Sequence, residues 1–332
     1  MKWFAMIMVT LAVLLGQTCA QQNAPPTGAI VVREPVFQTT GPYRVQEMME
    51  PSLARHTVYR PVDLKAVKEK LPIVAFGNGG CFMIGNAFET YLTEIASYGF
   101  LVIANGPIQP TFVPEGRPTA NGTAQGPPPD AVVNELSPER SKTSYLFEAI
   151  DWAVAQSKDP ESPYYGRIAN DMIAVSGQSC GGLEAQVAAT DPRIKTAIIF
   201  NSGVFRGAQP EIPMRGSNGE SFTYIMPGTE ETLKKLHTPV IYLMGGEKDI
   251  AYQNSEIDYG QIEGIPLFNA NLDNVGHNGS LGKPFGGKMA QAARLWLQWQ
   301  LKGDTEAGKA FVGPDCTLCR DPEWVVKKKN MK

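Results

Sequence analysis

The 332-residue sequence predicts an α/β protein, a mostly parallel central sheet with helices on both faces. Two observations predict it. Short apolar runs, rich in β-branched residues and free of polar alternation, recur along the chain and end in turns containing glycine. Runs of this kind fit strands buried on both faces of a parallel sheet. Between them lie segments whose apolar residues return at helical spacing.

Taken in order, residues 57–61 (TVYRP) read as an early, partly exposed strand closed by Pro61. The parallel strands come from residues 71–76 (LPIVAF, then GNGG), 100–104 (FLVIA, then NGP), 172–176 (MIAVS, then GQS), 197–200 (AIIF, then NSG) and 240–244 (VIYLM, then GG). A shorter apolar segment follows at 265–268. Residues 139–157 carry Leu146, Ile150, Trp152 and Ala153 at helical spacing, and residues 288–302 do the same with Met289, Ala292, Ala293 and Trp296. Two regions interrupt the alternation. Residues 106–130, rich in Pro, Gly, Thr and Asn, read as a long surface loop, a kind of segment often tied to function. Residues 205–231 read as a small cap between two strands. No repeat or linker divides the chain, so residues 21–332 read as one domain.

The composition, 43% hydrophobic with a net charge of -3, supplies a real core and speaks against a nucleic-acid surface. The one basic run is Lys327, Lys328 and Lys329. Lys2, the apolar run at 3–16 and the small residues before position 21 resemble an export signal cleaved after Ala20. The run is too short for a membrane anchor, and Pro25 and Pro26 follow closely. A secreted chain is the expectation. Cleavage would remove Cys19 and leave Cys81, Cys180, Cys316 and Cys319, an even set that reads as disulfides with three connectivities open. The C-x-x-C at 316–319 also fits a redox pair, but no strand precedes it and a structural role in a C-terminal extension, 303–332, is favoured.

The chemistry centres on Gly177-Gln178-Ser179-Cys180-Gly181, which follows a strong strand and precedes a helical pattern. Glycines two residues to either side of Ser179 allow a strained strand-to-helix turn that projects one side chain at the helix N-terminus. Cys180 has Gln178 at its own -2 position, so Ser179 is the central residue and Cys180 supplies a backbone N–H to a developing oxyanion. The plain alternative is a glycine-rich turn that packs a helix onto the sheet. A serine hydroxyl becomes a nucleophile only when an oriented base takes its proton. Of three histidines, His56 and His237 precede strands and read as solvated or structural. His277, in the glycine-bracketed N-V-G-H-N-G-S after the last strand, is the candidate base. The candidate orienting acid is Asp249, in the turn after residues 240–244, with Glu247 next and Asp273 third.

These motifs together, G-Q-S-C-G, G-N-G-G, G-G-E-K-D and G-H-N-G, resemble the α/β-hydrolase superfamily over residues 57 to 302. The order Ser179, Asp249, His277 is that of the family. The resemblance implies a secreted serine esterase, similar to short lipases and cutinase-like polyester hydrolases. Such an enzyme forms an acyl-enzyme on Ser179 and needs neither metal nor organic cofactor. Its partner is a small-molecule or polymeric ester, with plant-wall esters and polyester cuticles both open. The loop at 77–81 resembles the H-G-G-G loop of esterases, with Asn78 where the family often has His, and it nominates Gly79 and Gly80 as further oxyanion donors. In that fold the two loops meet, which implies a Cys81–Cys180 bridge and leaves Cys316 to pair with Cys319. Free buried thiols are the alternative. Phe112, Phe205, Phe222 and Tyr224 are candidate pocket walls. The competing classes are a serine peptidase and a non-catalytic binding protein on the same scaffold. Of two glycosylation sequons, at Asn121 and Asn278, the second adjoins His277 and is expected to be unused.

Overall fold

Ten strands form one sheet in the order β1-β2-β3-β5-β4-β6-β7-β10-β11-β12, in a computed structural model that describes residues 31–33, 38–113, 137–215 and 221–331. The expected export segment, the Asn121 sequon and most of the loop expected at 106–130 lie outside the described residues. The strands are β1 (Val31–Arg33), β2 (Val45–Met49), β3 (His56–Pro61), β4 (Leu71–Gly77), β5 (Leu101–Asn105), β6 (Ile168–Gln178), β7 (Thr196–Phe200), β10 (Val240–Met244), β11 (Leu267–Leu272) and β12 (Trp324–Lys329). The six central strands, β5-β4-β6-β7-β10-β11, run parallel. β1, β2 and β3 continue the sheet antiparallel on one side, and β12 closes the other.

The apolar runs lack alternation because each central strand feeds two cores. On β4, Ile73 and Ala75 join one layer while Val74 and Phe76 join the other. On β10, Tyr242 and Met244 face one way and Ile241 and Leu243 the other. Helices Thr143–Gln156 and Cys180–Ala188 cover the first face, and helices Glu89–Ala96 and Gly287–Lys302 the second. Each large apolar side chain so buried contributes about 1.5–3 kcal/mol.

Three expectations are refined. β3 is an interior strand between β2 and β5, and all of it but Arg60 is buried, so it is not partly exposed. Its neighbour β2 is hard to see in sequence because it buries Glu47, which pairs with Arg33. The C-terminal extension is part of the sheet. β12 adds its last antiparallel strand, and the short helix Thr317–Arg320 ahead of it carries the Cys316–Cys319 disulfide. Lys327 and Lys329 pair with Glu256 and Glu263 there, which absorbs most of the basic run. The 205–231 segment contains a hairpin, β8 (Glu211–Arg215) with β9 (Ser221–Ile225), and a short helix, Glu230–Leu233. Among the described residues, no helix is long and apolar enough to cross a membrane.

Candidate active site

The carboxyl ends of β4, β6, β7, β10 and β11 carry the candidate residues. Ser179 sits between β6 and the helix Cys180–Ala188 with φ 53° and ψ -118°, outside the regions an ordinary side chain adopts freely. Close packing forces the glycines around it. A Cβ on Gly177 would lie 2.1 Å from Gly181 O, and one on Gly181 would lie 2.1 Å from Gly77 O. The elbow therefore has room for a side chain at 179 and for none at 177 or 181.

His277 stands in the turn after β11. Its Nε2 is 2.8 Å from Ser179 Oγ, and its Nδ1 is 2.7 Å from Asp249 Oδ1. A carboxylate only accepts, so Nδ1 carries a proton towards Asp249 while Nε2 faces the serine hydroxyl. Asp249 is buried in the turn after β10. Burial pushes its carboxyl up, but hydrogen bonds from His277, Ala251 N–H and Asn201 outweigh that and hold it below the ordinary value. Glu247 is exposed, and Asp273 is exposed and accepts from Asn274 instead, so neither is the acid that meets His277. His56 is buried with Nε2 2.9 Å from Tyr145 O, and His237 is exposed with Nε2 3.1 Å from Asp191 O.

The first helical turn leaves one amide for a substrate. Gly181 N–H donates to Asn78 O, and Gly182 and Leu183 N–H donate to Ser179 O. Cys180 N–H has no acceptor among the described residues, as an oxyanion donor requires. The Gly79–Gly80 turn lies beside it, because Cys81 and Cys180 are joined by a disulfide with Cα atoms 5.2 Å apart. Asn78 turns its side chain away from the site. Its Nδ2 donates to Phe82 O at 3.0 Å and Asn105 O at 2.6 Å, fastening the loop from beneath.

Several supporting residues carry no motif that singles them out. Asn201, after β7, donates to Asp249 Oδ2 at 2.7 Å and to Gly276 O at 3.1 Å. Ser202 Oγ donates to Ser179 O at 2.7 Å. Gln178 Nε2 donates to His277 O at 2.8 Å. Their one signal is position, each at or just past a parallel strand's carboxyl end, where ligands bind open α/β sheets. Below the elbow lies Glu184, whose carboxyl accepts from Ser141 Oγ at 2.8 Å and Asn105 Nδ2 at 3.3 Å. Burial pushes it up to about 8 against those two bonds.

A pocket of about 80 Å³ opens at Ser179 and His277 and is walled by Leu183, Phe205, Met226 and Ala251. Of the three aromatic wall candidates whose side chains are described, only Phe205 lines it. Phe112 is buried against Ile84, and Tyr224 donates its hydroxyl to Ser141 O at 3.1 Å. The side chain of Phe222 lies outside the described residues. Two larger clefts, of 580 and 350 Å³, are lined by none of Ser179, Asp249 and His277. Asn278 is exposed next to His277. Among the described residues no cluster of His, Cys, Asp and Glu is grouped to hold a metal ion. Compared with known protein families and with curated proteins, the chain matches none.

Proposed function

We propose that this chain is a serine hydrolase of carboxylic esters, of the α/β-hydrolase type, acting through an acyl-enzyme. The observation that carries the reading is the continuous Asp249–His277–Ser179 relay, 2.7 and 2.8 Å at its two joints. Ser179 Oγ attacks the ester carbonyl carbon while its proton passes to His277 Nε2. The carbonyl oxygen takes the negative charge opposite Cys180 N–H and the Gly79–Gly80 turn. Asp249 stabilises the imidazolium. The C–O bond to the alcohol breaks as His277 returns the proton to the leaving oxygen. Water then enters beside His277 and loses a proton to Nε2. It attacks the acyl carbon and releases the acid as the proton goes back to Ser179 Oγ. Each proton taken is returned, and no cofactor takes part.

Two disulfides fit an oxidising location, so we read the chain as exported through its N-terminal segment. Residues 21–332 are read as one domain, with the C-terminal extension completing the sheet.

Two measurements test the reading. A fluorophosphonate probe labels Ser179, located by peptide mapping. Ser179→Ala abolishes labelling and lowers turnover of p-nitrophenyl acetate by at least about 10⁴-fold, the loss expected when a triad nucleophile is removed. A wild type that neither labels nor turns over any ester overturns it.

A further inference from the structure

We propose that Glu184 is a positioning residue for the oxyanion donors: its buried carboxyl ties the helix that carries Cys180 N–H to both ends of the Gly79–Gly80 turn. This rests on the ester-hydrolase reading above and deepens it, because it concerns how the same site meets the developing charge. Glu184 lies four residues after Cys180 and so on the same face of the helix Cys180–Ala188. Its Oε2 packs against the backbone that leads into the turn, 2.9 Å from where a Cβ on Gly77 would stand. The relay of Asp249, His277 and Ser179 makes no use of it.

Two arms leave the carboxyl, and each ends on one flank of the turn. Glu184 Oε1 accepts from Ser141 Oγ at 2.8 Å, and Ser141 N–H donates to Cys81 O at 2.7 Å. Glu184 Oε2 accepts from Asn105 Nδ2 at 3.3 Å, and Asn105 O accepts from Asn78 Nδ2 at 2.6 Å. Asn78 and Cys81 bracket Gly79 and Gly80 in the chain. Tyr224 OH donates to Ser141 O at 3.1 Å, so all three polar groups of Ser141 are held.

Packing alone does not account for an acid at this position. Glu184, Ser141, Asn105 and Asn78 are all 0% exposed. The partners of Glu184 are a hydroxyl and an amide rather than a cation, so no ion pair offsets the cost of burying a carboxyl. A hydrocarbon of the same size would pack the helix onto the sheet at less cost. What a hydrocarbon lacks is a pair of acceptor atoms. Oxyanion donors act at about 2.7–3.1 Å from the charge, so the helix and the turn must keep a fixed spacing. The Cys81–Cys180 disulfide fixes one point of that spacing, and the two arms of Glu184 secure both flanks of the turn.

The test compares two variants of the full chain, with Ser179→Ala as the blank. Glu184→Met keeps the bulk and removes both acceptors. Glu184→Gln keeps one acceptor and offers its amide to Asn105 Oδ1, an atom with no partner among the described residues. Activity is expressed per site labelled to completion by a fluorophosphonate, so a misfolded fraction does not count. The oxyanion probe is trifluoroacetone. Ser179 Oγ bonds to its carbonyl carbon, the serine proton passes to His277 Nε2, and the carbonyl oxygen becomes the oxyanion. In Glu184→Met, kcat on p-nitrophenyl acetate falls about 10- to 100-fold with KM within about threefold, and Ki for trifluoroacetone rises by the same factor as kcat falls. Glu184→Gln stays within about threefold of the wild type in all three quantities. Ser141→Ala removes one arm and gives the same pattern at about tenfold, which serves if Glu184→Met does not fold. Undiminished kcat per labelled site in Glu184→Met and Ser141→Ala overturns the proposal. A loss of kcat with Ki unchanged overturns it likewise, since the defect would then lie outside the oxyanion contacts. These outcomes leave the ester-hydrolase reading standing. A wild type with neither labelling nor Ser179-dependent turnover overturns that underlying reading itself.

Discussion

Asn201 donates from Nδ2 to Asp249 Oδ2 at 2.7 Å, on the carboxylate oxygen that His277 does not use. The same amide reaches Gly276 O, so one side chain braces both the acid and the turn that carries the base. Asn201→Ala removes a hydrogen bond to a charged group, worth about 1.5–3 kcal/mol. If that bond acts by aligning Asp249, kcat for p-nitrophenyl acetate falls about 10- to 100-fold with KM little changed. A variant whose KM rises while kcat holds would make Asn201 a substrate contact instead.

Gln178 links the two loops on either side of the nucleophile. Its Nε2 holds His277 O, while its Oε1 occupies the space a Cβ on Gly79 would need, 2.1 Å away. Gly79→Ala should therefore displace Gln178 and break the bond to the histidine turn. We expect Gly79→Ala and Gln178→Ala each to lower kcat by about tenfold, the scale of one hydrogen bond lost. The double variant should be little worse than either single one, because both remove the same contact. Additive losses would show that Gly79 acts through its own N–H.

Much of this arrangement is legible in the sequence. Most of the parallel strands announce themselves because burial on both faces leaves few polar interruptions, and Ser179 and Asp249 each stand in the turn after such a run, whereas β11, ahead of His277, shows only a short apolar segment because it buries Asn269 and Asn271. Cys180 could be told from Ser179 because the glycine spacing centres on 179 alone. The supporting residues were not legible. Asn201, Gln178 and Ser202 act through contacts 23 to 99 residues away in the chain, and an Asn or Gln in a turn has the same appearance whether it faces solvent or a carboxylate. β2 was hidden by its buried Glu47, and β12 by three consecutive lysines whose partners lie on other elements. Nor does the sequence mark Asp258, which accepts from Val204 N–H and from Arg206 Nη2, 54 and 52 residues away, on either side of the pocket residue Phe205.

The two disulfides should differ in what they hold. Cys81–Cys180 closes a separation of 99 residues and Cys316–Cys319 one of 3. Loop-closure entropy assigns the first about 4–5 kcal/mol and the second about 2 kcal/mol. Cys81→Ala/Cys180→Ala should thus lose more stability in urea unfolding than Cys316→Ala/Cys319→Ala. It should also lose ester turnover by about 10²-fold under conditions where it remains folded, because the bridge fixes the Gly79–Gly80 turn against Cys180 N–H, and one oxyanion donor is worth about that much. Full activity in the folded 81/180 variant would mean that Asn78, through Phe82 O and Asn105 O, suffices to hold the loop.

Glu184 makes the fold itself sensitive to pH. Its carboxyl is pushed up to about 8 by burial, against an ordinary 4.5. Between those values the folded chain keeps a proton that the unfolded chain releases. Stability therefore falls as pH rises through this window and levels off above about 8, each unit of difference being worth about 1.4 kcal/mol. Glu47, pushed up to about 7 by burial and then by Glu89, acts in the same direction and is present in both proteins compared, so only the difference between them reports Glu184. Glu184→Gln keeps a neutral group of the same shape beside Ser141 and Asn105 and has no proton to lose. Its unfolding free energy in urea should drop less from about pH 5 to about pH 8 than that of the wild type, by at least about 1–2 kcal/mol, and it should be the more stable protein at the upper end. Parallel pH dependences would mean that Glu184 is already ionised in the fold, with Ser141 and Asn105 sufficient to hold its charge.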